Sequence, residues 1–170
     1  SVFSLLPELL ERAGVVEANE DRAAGSITGL YTVLADGDDA SDPVVDTARA
    51  ILDGHVVLSR DLAQRGHYPA LDIPASLSRV MDDLVPESVI RDARRLRALI
   101  AAREDNRDLV MMGAYRAGSD PTLDAALGAS GAIDAFLRQG RSEPAPIAES
   151  VAALEGLVAG IDGTAPGIGA

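Results

Sequence analysis

Two side chains in this sequence are suited to phosphate and ring chemistry: Arg79, in Ser76-Leu77-Ser78-Arg79-Val80-Met81, and Tyr68, in His67-Tyr68-Pro69-Ala70. A planar guanidinium offers several donors to phosphate oxygens and stabilises charge that develops in phosphoryl transfer. The competing reading of an arginine after a loop is a surface ion pair. Tyr68 stands out because aromatic residues make up only 3% of the chain, and the proline after it favours an extended backbone. Its competing reading is a ring packed on a strand end. Asp36-Gly37-Asp38-Asp39-Ala40-Ser41-Asp42 has the acidity of a calcium loop. It lacks the mid-loop glycine and terminal glutamate of an EF-hand, so it reads as a solvated loop that caps the following helix. His55 and His67 have no cysteine near them, and a zinc site is not expected. Neither a Gly-x-Ser-x-Gly elbow nor a His-Glu-x-x-His helix occurs.

Composition narrows the chemistry further. All 15 basic residues are arginine, which rules out Schiff-base lysine chemistry and removes the lysine a phosphate-binding P-loop needs. Acidic residues number 27, giving a net charge of −12 that would be repelled by nucleic acid or an anionic membrane. Without cysteine there is no disulfide, thiol nucleophile or thiolate metal site. The hydrophobic share of 47% over 170 residues supports a real core, necessarily aliphatic. No apolar run approaches the roughly 18 residues of a membrane span. The sequence reads as soluble and cytoplasmic, and its start at Ser1 without methionine reads as that of a fragment.

The elements that must position these residues follow from periodicity. Val2, Leu5, Leu6, Leu9 and Leu10 predict a helix over 2–13, closed by Gly14. Residues 15–24 read as a mobile loop, and Ile27, Leu30, Tyr31, Val33 and Leu34 as a buried strand. Asp42-Pro43 opens a helix to about Ile51 by capping logic. Val56 to Leu58 predicts a second short buried strand, Ser59 to Gln64 a helical turn ending at Gly66, and Ala70 to Ile73 a third extended piece. From Pro86 the pattern is helical. Val89, Ala93, Leu96 and Ile100 share a face, while Arg91, Arg94, Arg95, Arg97 and Arg103 decorate the others, with Asp92 spaced to meet Arg95. Ser119-Asp120-Pro121 opens a helix to about Arg138 that is weak at Gly128 to Gly131. A last helix spans about Ile147 to Val158, and the glycine-rich end from Gly160 is expected to be disordered. Net charge is −9 over residues 1–85, +1 over 86–112 and −4 over 113–170. The prediction is an α/β piece with short strands joined near residue 85 to an all-α piece. Three strands leave faces and edges uncovered, so the α/β piece reads as half of something.

One series of motifs is specific. In order, the chain carries Gly25-Ser26-Ile27-Thr28, Asp38-Asp39-Ala40-Ser41-Asp42-Pro43, Ile51-Leu52-Asp53-Gly54-His55, Val56-Val57-Leu58-Ser59-Arg60, His67-Tyr68-Pro69-Ala70-Leu71-Asp72 and Ser76 to Met81. Over residues 1 to about 155 this resembles the flagellar protein-export ATPase and virulence type III secretion ATPase family, similar in turn to the catalytic subunit of rotary ATP synthases. The resemblance implies the C-terminal part of a RecA-like P-loop NTPase domain over 1–85, a helical bundle domain over 86–160 and a disordered tail over 161–170. The family's P-loop, catalytic glutamate and Walker B aspartate would lie upstream, so the chain alone is expected to bind no cofactor and hydrolyse no ATP. The parent would use ATP and magnesium.

The resemblance also implies residue roles. Arg79 would reach the neighbouring subunit's nucleotide as an arginine finger in trans. Tyr68 would stack on adenine, as the catalytic-type Tyr-Pro-Ala segment does, and Tyr115, in the 111–115 segment, is the candidate for a second adenine contact. Asp38, Asp39 and Asp42 match a loop facing the central stalk, and Asp42 can cap its helix as well. Implied partners are homohexamer neighbours, the stalk protein, export chaperones and substrates, and a membrane export gate, with no nucleic acid. The implied location is the cytoplasmic side of the inner-membrane export apparatus. The alternatives are a virulence secretion ATPase, or a helical module that binds stalk or chaperone proteins without catalysis; the locally basic helix after Pro86 is the expected partner surface.

Overall fold

In the computed structural model the described residues are 2–19, 23–34 and 42–164, with side chains from Leu5 onward. They divide into two compact units, Ser1–His55 and Val56–Ala170, taken in turn below.

In the first unit α1 (Val2–Leu10) packs on α2 (Pro43–Ile51), burying Leu10 and Ala48. Asp42 caps α2: its Oδ1 accepts from Val44 N at 2.7 Å and Val45 N at 3.4 Å, with Pro43 in the first turn. This satisfies amide groups that no helical carbonyl can reach. The predicted mobile loop is instead partly ordered. β1 (Gly14–Val16) pairs antiparallel with β2 (Gly25–Ile27), Val15 facing Ser26. Gly14 therefore starts a strand rather than closing α1. The expected buried strand at Ile27 to Leu34 is also corrected, because β2 ends at Ile27 and residues 28–34 form no strand. Leu30 and Leu34 are 95% and 91% exposed. A hairpin of three-residue strands offers no second layer to cover such side chains.

The second unit takes in β3 (Gly54–Leu58) from Val56 onward, α3 (Arg60–Gln64) and β4 (Leu71–Ser78), the two strands pairing in a two-stranded sheet. There follow α4 (Met81–Leu84), α5 (Glu87–Asp105), α6 (Arg107–Met111), α7 (Pro121–Gly128), α8 (Ser130–Leu137) and α9 (Ile147–Thr164). β3 is not buried as expected: Val56 and Leu58 are mostly exposed. β4 runs further than predicted, through Pro74 to Ser78. A two-stranded sheet is all edge and tolerates the missing proline donor.

The core lies around α5, which packs on β4, α7 and α9. Leu96, Leu99 and Ile100 meet Ala126, Ile133, Leu154, Val158 and Ile161, with Ile73 of β4 against the cluster. Asp120 caps α7 by accepting from Thr122 N and Leu123 N, and the predicted weak point separates α7 from α8 at Ala129. α9 departs from expectation by continuing through Gly160 and Gly163 to Thr164. Each glycine costs a helix about 1 kcal/mol. Burial of Val158 and Ile161 against α5 offsets that cost.

The arginines of α5 are staples rather than a free basic face. Arg94 pairs with Asp82 of α4 at 2.7 Å, Arg95 Nε and Nη2 donate to Asp162 of α9, Arg97 donates to the Ser76 carbonyl of β4 at 2.8 Å, and Arg103 pairs with Asp134 of α8 at 2.8 Å. Asp92, buried, accepts from Arg91 rather than Arg95. Where these arginines form exposed ion pairs, they contribute about 0–1 kcal/mol each. Their larger effect is to fix the register of α5 against four neighbouring elements.

Candidate functional site

The segment before Tyr68 is set by a helix-ending turn. Ser59 Oγ caps α3 by accepting from Leu62 N. At the other end Gly66 N donates to the Ala63 carbonyl and His67 N to the Leu62 carbonyl at 2.9 Å, with Gly66 at φ +68°. This is a Schellman arrangement, which needs a left-handed residue that glycine supplies without a Cβ penalty. The turn sends successive side chains to opposite sides. His67 is 8% exposed and Tyr68 58% exposed.

Tyr68 is held from behind. Its carbonyl accepts from Gln139 N at 3.0 Å, just beyond α8. Gln139 Nε2 donates to the Glu143 carbonyl, and Gly140 N donates to Glu143 Oε2 at 2.8 Å. The residue that meets the Tyr68 backbone is therefore Gln139, itself held by Glu143, a neighbour that sequence reasoning missed because no local motif marks it. Tyr115 is engaged elsewhere. Its hydroxyl lies 2.8 Å from Asp124 Oδ1 and 3.1 Å from the Asp120 carbonyl, fastening its loop to the start of α7. Burial, with the hydrogen bond to Asp124 second, raises the pKa of this phenol.

Arg79 is exposed in the short link between β4 and α4. Its base is rigid. Ser76 Oγ accepts from Val57 N at 3.0 Å and donates to the Asp72 carbonyl, while Asp72 Oδ1 accepts from Ala75 N at 2.9 Å. With Arg97 on the Ser76 carbonyl, the end of β4 is tied to β3 and to α5. Tyr68 and Arg79 thus flank one strand, Tyr68 before β4 and Arg79 after it. Asp42 serves as the α2 cap, and Asp38 and Asp39 lie outside the described residues.

Behind Tyr68, His67 opens on a cavity of about 370 Å³ walled by α3, β4, α5 and α8. Burial lowers the His67 pKa below its usual 6.5, and Arg138, Arg103 and Arg65 lower it further against the opposing pull of Asp134. The unfolded chain therefore takes up this proton more readily than the folded one. Stability should fall as pH drops through 6.5 and level off below the folded value. Urea melts at about pH 7 and about pH 5 would measure the slope, and His67→Gln should flatten it. Glu104, raised above its usual 4.5 by burial and by Asp72, acts in the opposite sense at lower pH, adding stability as pH falls toward 4.5. Among the described residues, no group of acids and histidines is placed to hold a metal ion.

An exposed tyrosine and arginine at the two ends of a braced strand, backed by a helical bundle, fit a nucleotide-binding domain joined to a helical domain. A family model described as the ATP synthase alpha/beta family nucleotide-binding domain matches residues 1–78, and one described as the T3SS EscN ATPase C-terminal domain matches residues 85–156. The chain belongs to the flagellar and type III secretion ATPases of the ATP synthase alpha/beta family. It is 52% identical over 160 residues to the flagellum-specific ATP synthase of Pseudomonas aeruginosa, covering 94% of this chain and 35% of that protein. The solved structure of assembled EscN, from the type III secretion system of enteropathogenic E. coli, superposes with a TM-score of 0.83 at 40% identity, covering 92% of this chain and 37% of that one. Assembled EscN in complex with its central stalk EscO gives 0.78 at 39% identity, covering 92% and 36%. The chain thus spans about a third of the length of these relatives. The fold class is that of the C-terminal part of a RecA-like nucleotide-binding domain followed by a helical domain.

Proposed function

We propose that the chain is the C-terminal portion of a ring-forming ATPase that couples ATP hydrolysis to flagellar or type III protein export. In this reading residues 1–85 complete a RecA-like domain whose phosphate cradle lies elsewhere in the parent, and the helical domain runs from residue 86 through the end of α9 at Thr164. Arg79 supplies the arginine finger to the neighbouring subunit, and Tyr68 stacks on adenine. The observation that carries the reading is the bracing of β4, which puts both side chains at the surface on fixed backbone. The parent's ATP would bring magnesium to neutralise its phosphates; this chain contributes the transition-state guanidinium and the ring. Tyr115 is the weaker second adenine contact, since its hydroxyl is already engaged with Asp124.

Assembly of EscN and its complex with EscO support identical neighbours and a stalk protein as partners; the 38–42 segment is the stalk-facing element in this reading. Export chaperones, substrates and a membrane gate complete the proposed partners, met at the cytoplasmic face of the inner membrane. No helix among the described residues is long and apolar enough to cross a membrane. Because the α5 guanidiniums are engaged within the chain, chaperone recognition is assigned to the exposed face of α9 beginning at Ile147.

Two tests follow. The purified chain alone should show no ATP turnover above a buffer blank; turnover would place the phosphate cradle within it. In the full-length ATPase, Tyr68→Ala should weaken nucleotide binding by about tenfold, the effect of roughly 1–2 kcal/mol of ring stacking, while Tyr68→Phe retains affinity. Fluorescent-nucleotide titration would read both. Equal affinity for all three proteins would move the adenine contact elsewhere.

A further inference from the structure

Tyr68 is tied to the helical bundle through its own carbonyl and through the residue before it. Gln139 N holds its carbonyl, and Gln139 directly follows Arg138. His67, which precedes Tyr68, is buried in the cavity that Arg138 also lines. We infer that His67 is a positioning residue, a proton-sensitive latch through which the end of α8 sets the placement of Tyr68. The consequence for nucleotide binding rests on the adenine role proposed for Tyr68; the latch itself does not.

The charges around His67 come from every wall. Arg65 follows α3, and Asp72 belongs to β4. Arg103 and Glu104 come from α5 and Arg107 from α6, while Asp134 and Arg138 lie on α8 and just past its end. Asp134 is already committed to Arg103 at 2.8 Å, and Arg65 and Arg107 converge on a single carboxylate, Asp61. A proton on His67 thus adds a cation among guanidiniums whose counter-ions are shared or engaged. Beside them, Arg138 sits at an exposed position just past the end of α8 and can yield by moving outward. Gln139 would move with it, and Tyr68 with Gln139. By reciprocity, a partner that displaced the end of α8 would alter both Tyr68 and the affinity of His67 for its proton. The direction of the His67 perturbation, lowered first by burial and then by Arg138 and raised by Asp134, agrees with this geometry.

The test is an NMR pH titration of the purified chain. It contains 2 histidines, so His55→Gln assigns both imidazoles. The Tyr68 ring and Gln139 amide signals are expected to move with the His67 midpoint. Arg138→Gln should shift that midpoint up and Asp134→Asn should shift it down. His67→Gln should abolish the pH response of Tyr68; if that variant does not fold, the exposed Arg138→Gln change decides. Tyr68 and Gln139 signals that stay still through the His67 titration, or a midpoint unmoved by Arg138→Gln, would overturn the latch. No nucleotide is present in this experiment, so a failure here is distinct from a failure of the adenine role, which the Tyr68→Ala titration reads separately.

Discussion

Arg79→Ala in the full-length ATPase is expected to lower kcat by about 10³–10⁵, the usual contribution of an arginine finger. Nucleotide affinity should change little, because the guanidinium acts on charge that develops only in the transition state. The expectation rests on where the side chain stands. Arg79 follows a strand whose end is fixed by Val57 N on Ser76 Oγ and Arg97 on the Ser76 carbonyl, so the guanidinium starts from a rigid base. Preorganisation of that kind is what gives electrostatic catalysis its force. Arg79→Lys should recover little, since an ammonium cannot present the planar fork. Steady-state kinetics with parallel nucleotide-binding measurements separate the two effects. Matching losses in kcat and affinity would make Arg79 a general binding residue instead.

The largest stability effect is expected at Leu99, which is 0% exposed at the centre of α5. Leu99→Ala should cost about 2–5 kcal/mol, combining lost transfer energy with a cavity that α7 and α9 can only partly close. Ile133→Val, at another fully buried position, should cost about 0.5–1.5 kcal/mol. Arg95→Ala, which removes an exposed pair with Asp162, should cost about 1 kcal/mol or less. Urea unfolding measures the series, with midpoints moving at constant m. A cost at Arg95 equal to that at Leu99 would mean that the ion pairs, not the aliphatic core, hold α5 in place.

The parts legible in the sequence are those set by local chemistry. Asp42-Pro43 and Asp120-Pro121 announce helix starts because a carboxylate cap and a proline in the first turn each meet a local need. Gly66 announces the turn that aims Tyr68 outward, for the same kind of reason. The helical face of Leu96 and Ile100 reads directly as core. What periodicity could not give is whether a partner exists for an apolar run. Leu30 and Leu34 have the composition of a buried strand and yet are exposed. Conversely, α9 continues past Gly160 and Gly163 because Ile161 finds α5 and Asp162 finds Arg95, contacts distant in sequence. The same limit governs the candidate site. Arg79 and Tyr68 stand in recognisable motifs, whereas Gln139 reaches Tyr68 across a sequence separation that no motif spans.

The central claim, that Arg79 completes the nucleotide site of a neighbouring subunit, is tested most directly by mixing. Full-length Arg79→Ala protein, inactive through its missing finger, would be combined with a variant disabled in the phosphate-binding loop but carrying Arg79. Turnover of the mixture would be read against each parent at equal total protein, after native mass spectrometry has confirmed mixed rings. Action in trans predicts recovered turnover at interfaces where an intact loop faces an intact Arg79. Mixed rings that form and remain as inactive as either parent would contradict it.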